Sequence, residues 1–368
     1  GALTNGGYAS VGAVGAGTAT LKDNAIWHAA GDFNVADTSG SAGTVWLQDN
    51  ARLVVNTLYV GKAANSTGTV HQTGGRVARA SGAGEWRIGG NVSGGANQVA
   101  IYNLVNGVLD AGSANLQIGA YGVGQFNQSG GSVFIGGWPS IGRFGGSTGS
   151  LNVSGGAFYQ TGASTALIVG EQGAGTLNLS QAGLVQLANN LVIGHTATAS
   201  GTVNLNGGTL VTRRVLRTDA GATAILNFNG GILRAAAGAN PTFLGGLTAA
   251  NVQAGGAIID SGTNSIIVSQ DLLNGGGNGG LIKQGAGSLT LSGSLQYAGP
   301  TLVTEGKLLI AAPNLPATSG VTLSDNTSFG VKVLATDARV QVAQLGLAGG
   351  SHTTLDFDLG GLGTPAVA

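Results

Sequence analysis

The sequence predicts an all-β chain coiled as a parallel β-helix with turns of about 25 residues. Three observations carry this reading. Glycine fills 70 of 368 positions. An apolar segment closed by glycine returns every 23–30 residues. A second segment, with an asparagine between apolar residues and often followed by Gly-Gly, recurs in step with it. Glycine at this density opposes helices, since each interior glycine costs a helix roughly 0.8–1 kcal/mol relative to alanine. Short strands punctuated by glycine turns are the alternative. Hydrophobic residues at 42% suffice for a core, which argues against disorder. Only six prolines and no strict Gly-X-Y period exclude collagen.

The first repeated segment reads Leu58–Gly61, Trp86–Gly89, Leu116–Gly119, Ser140–Gly142, Leu167–Gly170 and Leu191–Gly194. The second is plainest at Gln125–Gly131, Ser150–Gly156 and Thr202–Gly208, with looser copies around His71, Asn103, Asn178 and Asn227. Another short apolar strand follows each Gly-Gly, as at Ser132–Ile135 and Thr209–Val211. Leu21–Ala25 and Leu47–Ala51 show that the series begins near residue 20, and it runs to about 234. Units of this size cannot bury their apolar faces singly and must stack. Strands of three to five residues form no useful meander, but in a coil each pairs with its copies one turn away, roughly 4.8 Å distant. The rival leucine-rich repeat lacks its Leu-x-x-Leu-x-Leu frame here, and Gly-Gly sits badly on a helical side.

Composition also limits chemistry. Without cysteine there is no disulfide, thiolate zinc site or cysteine nucleophile. Lys+Arg and Asp+Glu balance at 15 each, too few and too dispersed for a nucleic-acid face. No apolar run approaches the ~20 residues of a membrane helix, and the chain, starting at Gly1, reads as mature or trimmed.

The repeated Asn103, Asn127, Asn152, Asn178, Asn204 and Asn227 lie between apolar neighbours, so they point outward when those neighbours point in. Stacked in register they form an amide ladder. Such a ladder either satisfies itself or offers a flat polar face to sugar, ice or another surface; the self-satisfying ladder is expected. Phe126, Phe158, Phe228, Phe134 and Tyr102 are expected as stacked core rings. Trp27, Trp46, Trp86 and Trp138 follow no repeat position, and one or two exposed for sugar stacking is the minority reading. His28, His71, His195 and His352 have no ligand spacing, and His71 takes an asparagine slot. Arg213, Arg214, Arg217 and Asp219 are the densest charge cluster. Lacking further acidic residues for calcium or a glycosidase pair, it is expected to be a surface ion-pair patch. Gly275–Gly280 lacks the aspartates of a calcium repeat and the lysine of a phosphate loop, and reads as a turn. No catalytic, cofactor or metal residue is expected.

The C-terminal third carries a denser pattern. Residues 279–309 read Gly-Gly-Leu-x-Lys-x-Gly-x-Gly-x-Leu-x-Leu-Ser-Gly, then Tyr-x-Gly-x-Thr-x-Val-x-x-Gly-x-Leu. Its fixed positions are Gly280, Lys283, Gly285, Gly287, Leu289, Leu291, Gly293, Tyr297, Gly299, Val303, Gly306 and Leu308. This stretch closely resembles the autotransporter-associated β-strand repeat, also called the passenger-associated transport repeat. The resemblance implies a right-handed parallel β-helix, secretion across a Gram-negative envelope, and an extracellular or cell-surface location. Neither a C-terminal barrel nor a sorting tail is visible, so a processed passenger and a piece of a longer protein are both open. The expected divisions are 1–19, a strand-like end; 20–234, the repeat array; and 235–368, C-terminal turns containing the passenger-type repeat. Both ends are strand-like and almost uncharged, without an amphipathic capping helix. The sequence therefore points to end-to-end self-association into a fibre or coat, with no catalytic site. The alternative is an adhesin whose outer face binds glycan or a host surface.

Overall fold

The computed structural model describes residues 1–81, 84–91, 97–311, 319–332, 340–347 and 352–358. Of the expected strand-like end at 351–368, residues 352–358 are described and contain the strand Thr354–Asp358; the rest lies outside the described residues. Within them the chain is a parallel β-solenoid without a helix. It divides into two compact units, Gly1–Asn204 with Arg217–Ala224, and Leu205–Leu216 with Ile225–Ala368.

In the first unit each turn presents three strands, one per face. Face A carries six-residue strands, longer than the three to five expected, such as Val123–Gln128 and Thr148–Val153. Face B carries short strands such as Ser132–Ile135 and Ala157–Gln160, and face C others such as Asn115–Ile118, Pro139–Ile141 and Leu167–Val169. Every strand pairs in parallel with its copy one turn on: Val123 with Thr148 on face A, Ser132 with Ala157 on face B, Leu116 with Pro139 on face C. Alternation follows from the pleat. In Thr148–Val153, Gly149, Leu151 and Val153 are buried, while Ser150 and Asn152 face out half-buried. The inward residues form the core, with Tyr102, Phe126 and Leu151 in one register column, all 0% exposed.

Two kinds of glycine set the corner between faces C and A. The glycines closing the face C strands, Gly119, Gly142 and Gly170 among them, have φ of +67°, +71° and +73°, left-handed conformations that suit glycine. The second residue of each face A strand then passes under the preceding corner. A Cβ on Gly149 would sit 2.1 Å from the Ile118 carbonyl oxygen. The corner is tight because strand and turn must close in about 25 residues.

The second unit repeats the three-strand order at first. Face B runs through Ile232–Ala235, Ala257–Asp260, Leu281–Gln284, Thr301–Val303 and Gly320–Leu323. Face C runs through Thr242–Gly245, Ser265–Val268, Ser288–Leu291, Lys307–Ile310 and Ser328–Lys332. Face A narrows: Ala249–Val252 pairs with Leu272–Asn274, and at the next turn Leu272 makes a single bridge to Leu295. Turns then shorten, with axial contacts 21 residues apart between Thr304 and Lys283 and 20 apart between Ser319 and Gly299. Tyr297, fully buried, lies just beyond that bridge.

Gly149→Ala is expected to destabilise the chain by about 2–4 kcal/mol, because a backbone carbonyl has to move. Ala100, the residue at this position in Val99–Leu104, should tolerate glycine at a cost of about 1 kcal/mol. Urea unfolding of both variants checks the contrast.

Candidate functional site

The six asparagines lie on face A. In the first unit Asn127 Nδ2 donates to Asn103 Oδ1 at 2.8 Å, Asn152 to Asn127 at 2.8 Å, Asn178 to Asn152 at 2.7 Å and Asn204 to Asn178 at 2.7 Å. Their sequence separations of 24, 25, 26 and 26 give the length of each turn. All four bonds run the same way along the axis. The ladder continues to His71, whose Nδ1 lies 3.3 Å from Asn103 Nδ2, across a longer 32-residue turn. An amide nitrogen only donates, so Nδ1 accepts and the imidazole is neutral with its proton on Nε2. Burial lowers the His71 pKa and favours the same form. Trp46 stacks on the imidazole with ring centroids 4.0 Å apart. In the second unit Asn251 Nδ2 donates to Asn227 Oδ1 at 2.8 Å. Asn251 escaped the sequence reading, although its place between Ala250 and Val252, 24 residues after Asn227, carries the signal.

The aromatic residues divide by pleat. Tyr102, Phe126, Phe158 and Phe228 are buried, as is Trp86. Phe134 is not a core ring: Val133 and Ile135 point inward, so Phe134 points out and stacks on Tyr159 at 5.1 Å. Trp27, Trp46 and Trp138 are half-buried. The arginine cluster is built on main-chain contacts. Arg213 donates to the Gly238 carbonyl, Arg217 to those of Ala220 and Ala222, and the Asp219 carboxylate accepts from the Gly221 amide.

The sequence reading missed a second polar assembly, after face C of the first unit. Arg143 pairs with Glu171, whose other oxygen accepts from the Ser140 hydroxyl at 2.6 Å. The guanidinium lies 4.5 Å from the Phe144 ring centroid and 4.6 Å from that of Trp138. Phe144 stacks on Tyr121 at 4.1 Å, and Arg87 lies within 6 Å of both rings. Glu171 is 2% exposed, and burial pushes its carboxyl up to about 7 against the opposing pull of Ser140 and Arg143. Its residues come from four turns, with Trp138, Ser140, Arg143 and Phe144 together on one of them, and no repeated motif announces them. With both oxygens of Glu171 held and the rings facing one another, the assembly ties turns together. Among the described residues no three His, Asp or Glu gather as a metal site.

The residues of the 279–309 motif make core and corners. Leu289, Leu291, Val303 and Leu308 are 0% exposed and point inward. Tyr297 shares a 2.6 Å hydroxyl bond with Thr301. Gly280, Gly285, Gly287, Gly293, Gly299 and Gly306 lie at corners under the neighbouring turn; a Cβ on Gly287 would meet the Asn264 carbonyl oxygen at 2.0 Å. Lys283 is fully buried, its ammonium donating to the carbonyls of Gln284, Gly285 and, one turn on, Glu305, at 2.8, 2.6 and 3.0 Å. Burial lowers its pKa to about 8, opposed by the charges of Asp260 and Glu305. Arg234 pairs with Asp260 in the register column next to that of Lys283.

Two outcomes test these clusters. Because the folded state raises the Glu171 pKa, its contribution is present below pH about 4.5 and lost as pH rises through about 7. Glu171→Gln should flatten the fall of the urea midpoint across that window; a wild-type midpoint that rises there instead contradicts the assignment. Lys283→Met strands three carbonyls and should cost about 1–3 kcal/mol in urea unfolding.

No helix among the described residues is long and apolar enough to cross a membrane. No curated protein and no solved structure matches the chain. A family model does: residues 281–310 match the passenger-associated-transport-repeat, so this segment of the solenoid is a repeat of that family.

Proposed function

We propose that the chain is a non-catalytic passenger-type solenoid, displayed on or released from a Gram-negative bacterial surface, and that copies join head-to-tail into a fibre or coat. The observation that carries the reading is the position of the transport repeat. Its strands continue faces B and C in register, Leu281 beside Ala257 and Ser288 beside Ser265, so the repeat is part of the second unit's own wall. A structural role is supported by how the charged groups are used. Glu171, the carboxylate with the strongest upward shift, is held on both oxygens, and Lys283 is sealed inside. The head-to-tail arrangement is supported by exposed apolar side chains, Leu3 on Ala2–Asn5 and Leu345 and Leu347 on Gln344–Leu347. The half-buried outward rings Trp46, Phe134 and Tyr159 favour the second reading, an adhesin for glycan or a host surface.

Electron microscopy of the purified chain is expected to show filaments, shortened by Leu3→Lys. Particles that stay monomeric by light scattering at high concentration, with both ends ordered, rule out the fibre.

A further inference from the structure

We propose that the outward amide face of the first unit is a self-recognition surface, on which a second copy docks side by side through a two-fold axis at Asn152. This contact uses the flank of the solenoid and is independent of any joining at its ends.

The valence of the amides comes first. A side-chain amide has two donor hydrogens and two acceptor sites. Asn103, Asn152 and Asn178 each spend one donor and one acceptor within the ladder. One of each is left for a partner outside. Asn127 accepts twice, from Asn152 and from Gln125 Nε2 at 3.0 Å, which pins Gln125 into the same array. The amides are thus ordered before any contact forms, and the entropy of fixing them is already spent.

Shape and charge are permissive as well. The five strands at 99–104, 123–128, 148–153, 174–179 and 200–205 contain no Lys, Arg, Asp or Glu. Beside the asparagines, the same outward column holds Ile101, Gln125, Ser150, Thr176 and Thr202, uncharged side chains of which three are small enough to let two sheets approach.

Two features select a second copy over other partners. The rungs repeat at roughly 4.8 Å, and a second copy matches that spacing rung for rung without drift. The ladder bonds also all point one way, so the amide dipoles add along the axis. A perpendicular two-fold axis sets two such ladders antiparallel, the favourable arrangement for adjacent dipoles. Asn152, the middle of the five asparagines, then faces its own copy, and Asn103 faces Asn204. Five rungs of six-residue strands cover about 20 Å by 20 Å, or about 400 Å² per partner. A standard interface buries roughly 800 Å² per partner, so this pairing is weak and concentration-dependent.

The absence of cysteine makes a direct test simple. Ser150→Cys places a lone thiol beside the axis, and Ala157→Cys places one on face B. Under mild oxidation at high micromolar concentration, the first is expected to give a disulfide-linked dimer and the second to remain single. Adding Asn152→Lys sets two ammonium groups against each other and should abolish the cross-link, with the far-UV spectrum unchanged. Sedimentation of the cysteine-free chain should show a dimer fraction that rises with concentration and is lost in Asn152→Lys. Equal cross-linking from both thiols overturns the proposal. So does a dimer indifferent to Asn152→Lys but lost in Leu3→Lys, a result that leaves head-to-tail joining intact. A monomer held on neutral polysaccharide or on ice, and released by Asn152→Lys, also overturns it by giving the face another partner.

Discussion

The structure depends on one constraint: the hydrogen-bond partner of a strand residue lies one turn away along the axis. In a sheet of this kind the strands are too short to stand alone, and stability comes from stacking equal turns. Equal turns demand corners that close in a fixed number of residues. At the C-to-A corner this places backbone where a side chain would otherwise be, as the 2.1 Å approach at Gly149 shows. The abundance of glycine is thus a consequence of axial pairing, imposed corner by corner. Where the sequence inserts residues, between His71 and Asn103, the ladder still resumes in register, so the extra length is shed outside the strands.

Stacking also decides where polar groups can sit. On the outward side an asparagine finds its copy at hydrogen-bond distance without further design. On the inward side a polar group needs a partner supplied by a corner. Tyr102 reaches Gln72 Oε1 at 2.7 Å, Gln128 caps the carbonyls of Gly131 and Ala157, and Lys283 gathers three carbonyls. These buried groups do for the corners what the ladder does for the face, holding one turn against the next. Lys283 accomplishes this within the transport repeat, which places the lysine of that pattern in the wall and away from any outer surface.

Much of this was legible in the sequence because period and pleat are both sequence properties. The glycines closing Leu116–Gly119 and Leu167–Gly170 marked left-handed corners, and the apolar neighbours of Asn152 and Asn178 fixed which way those amides point. Phe134 was misplaced because aromatic character was weighed above its position between Val133 and Ile135. The Arg143, Glu171, Trp138 and Tyr121 assembly stayed hidden for a different reason. Arg143 and Glu171 each follow a closing glycine, but the two copies of that position hold opposite charges, so only the coiling shows that they pair. The narrowing of face A to one bridge at Leu295 was equally unmarked, since a shortened strand leaves no motif.

That narrowing has a mechanical side. Where three strands line each turn, a pull along the axis is shared among three rows of interstrand bonds. At the turn of Leu295 it passes through the pairings of Thr301–Val303 and Lys307–Ile310 and one bridge, Leu272 to Leu295. Load per bond is therefore higher in this stretch than in the wider turns of the same unit. Under tension it is where the second unit gives first, and the three carbonyl bonds of Lys283 sit at its threshold.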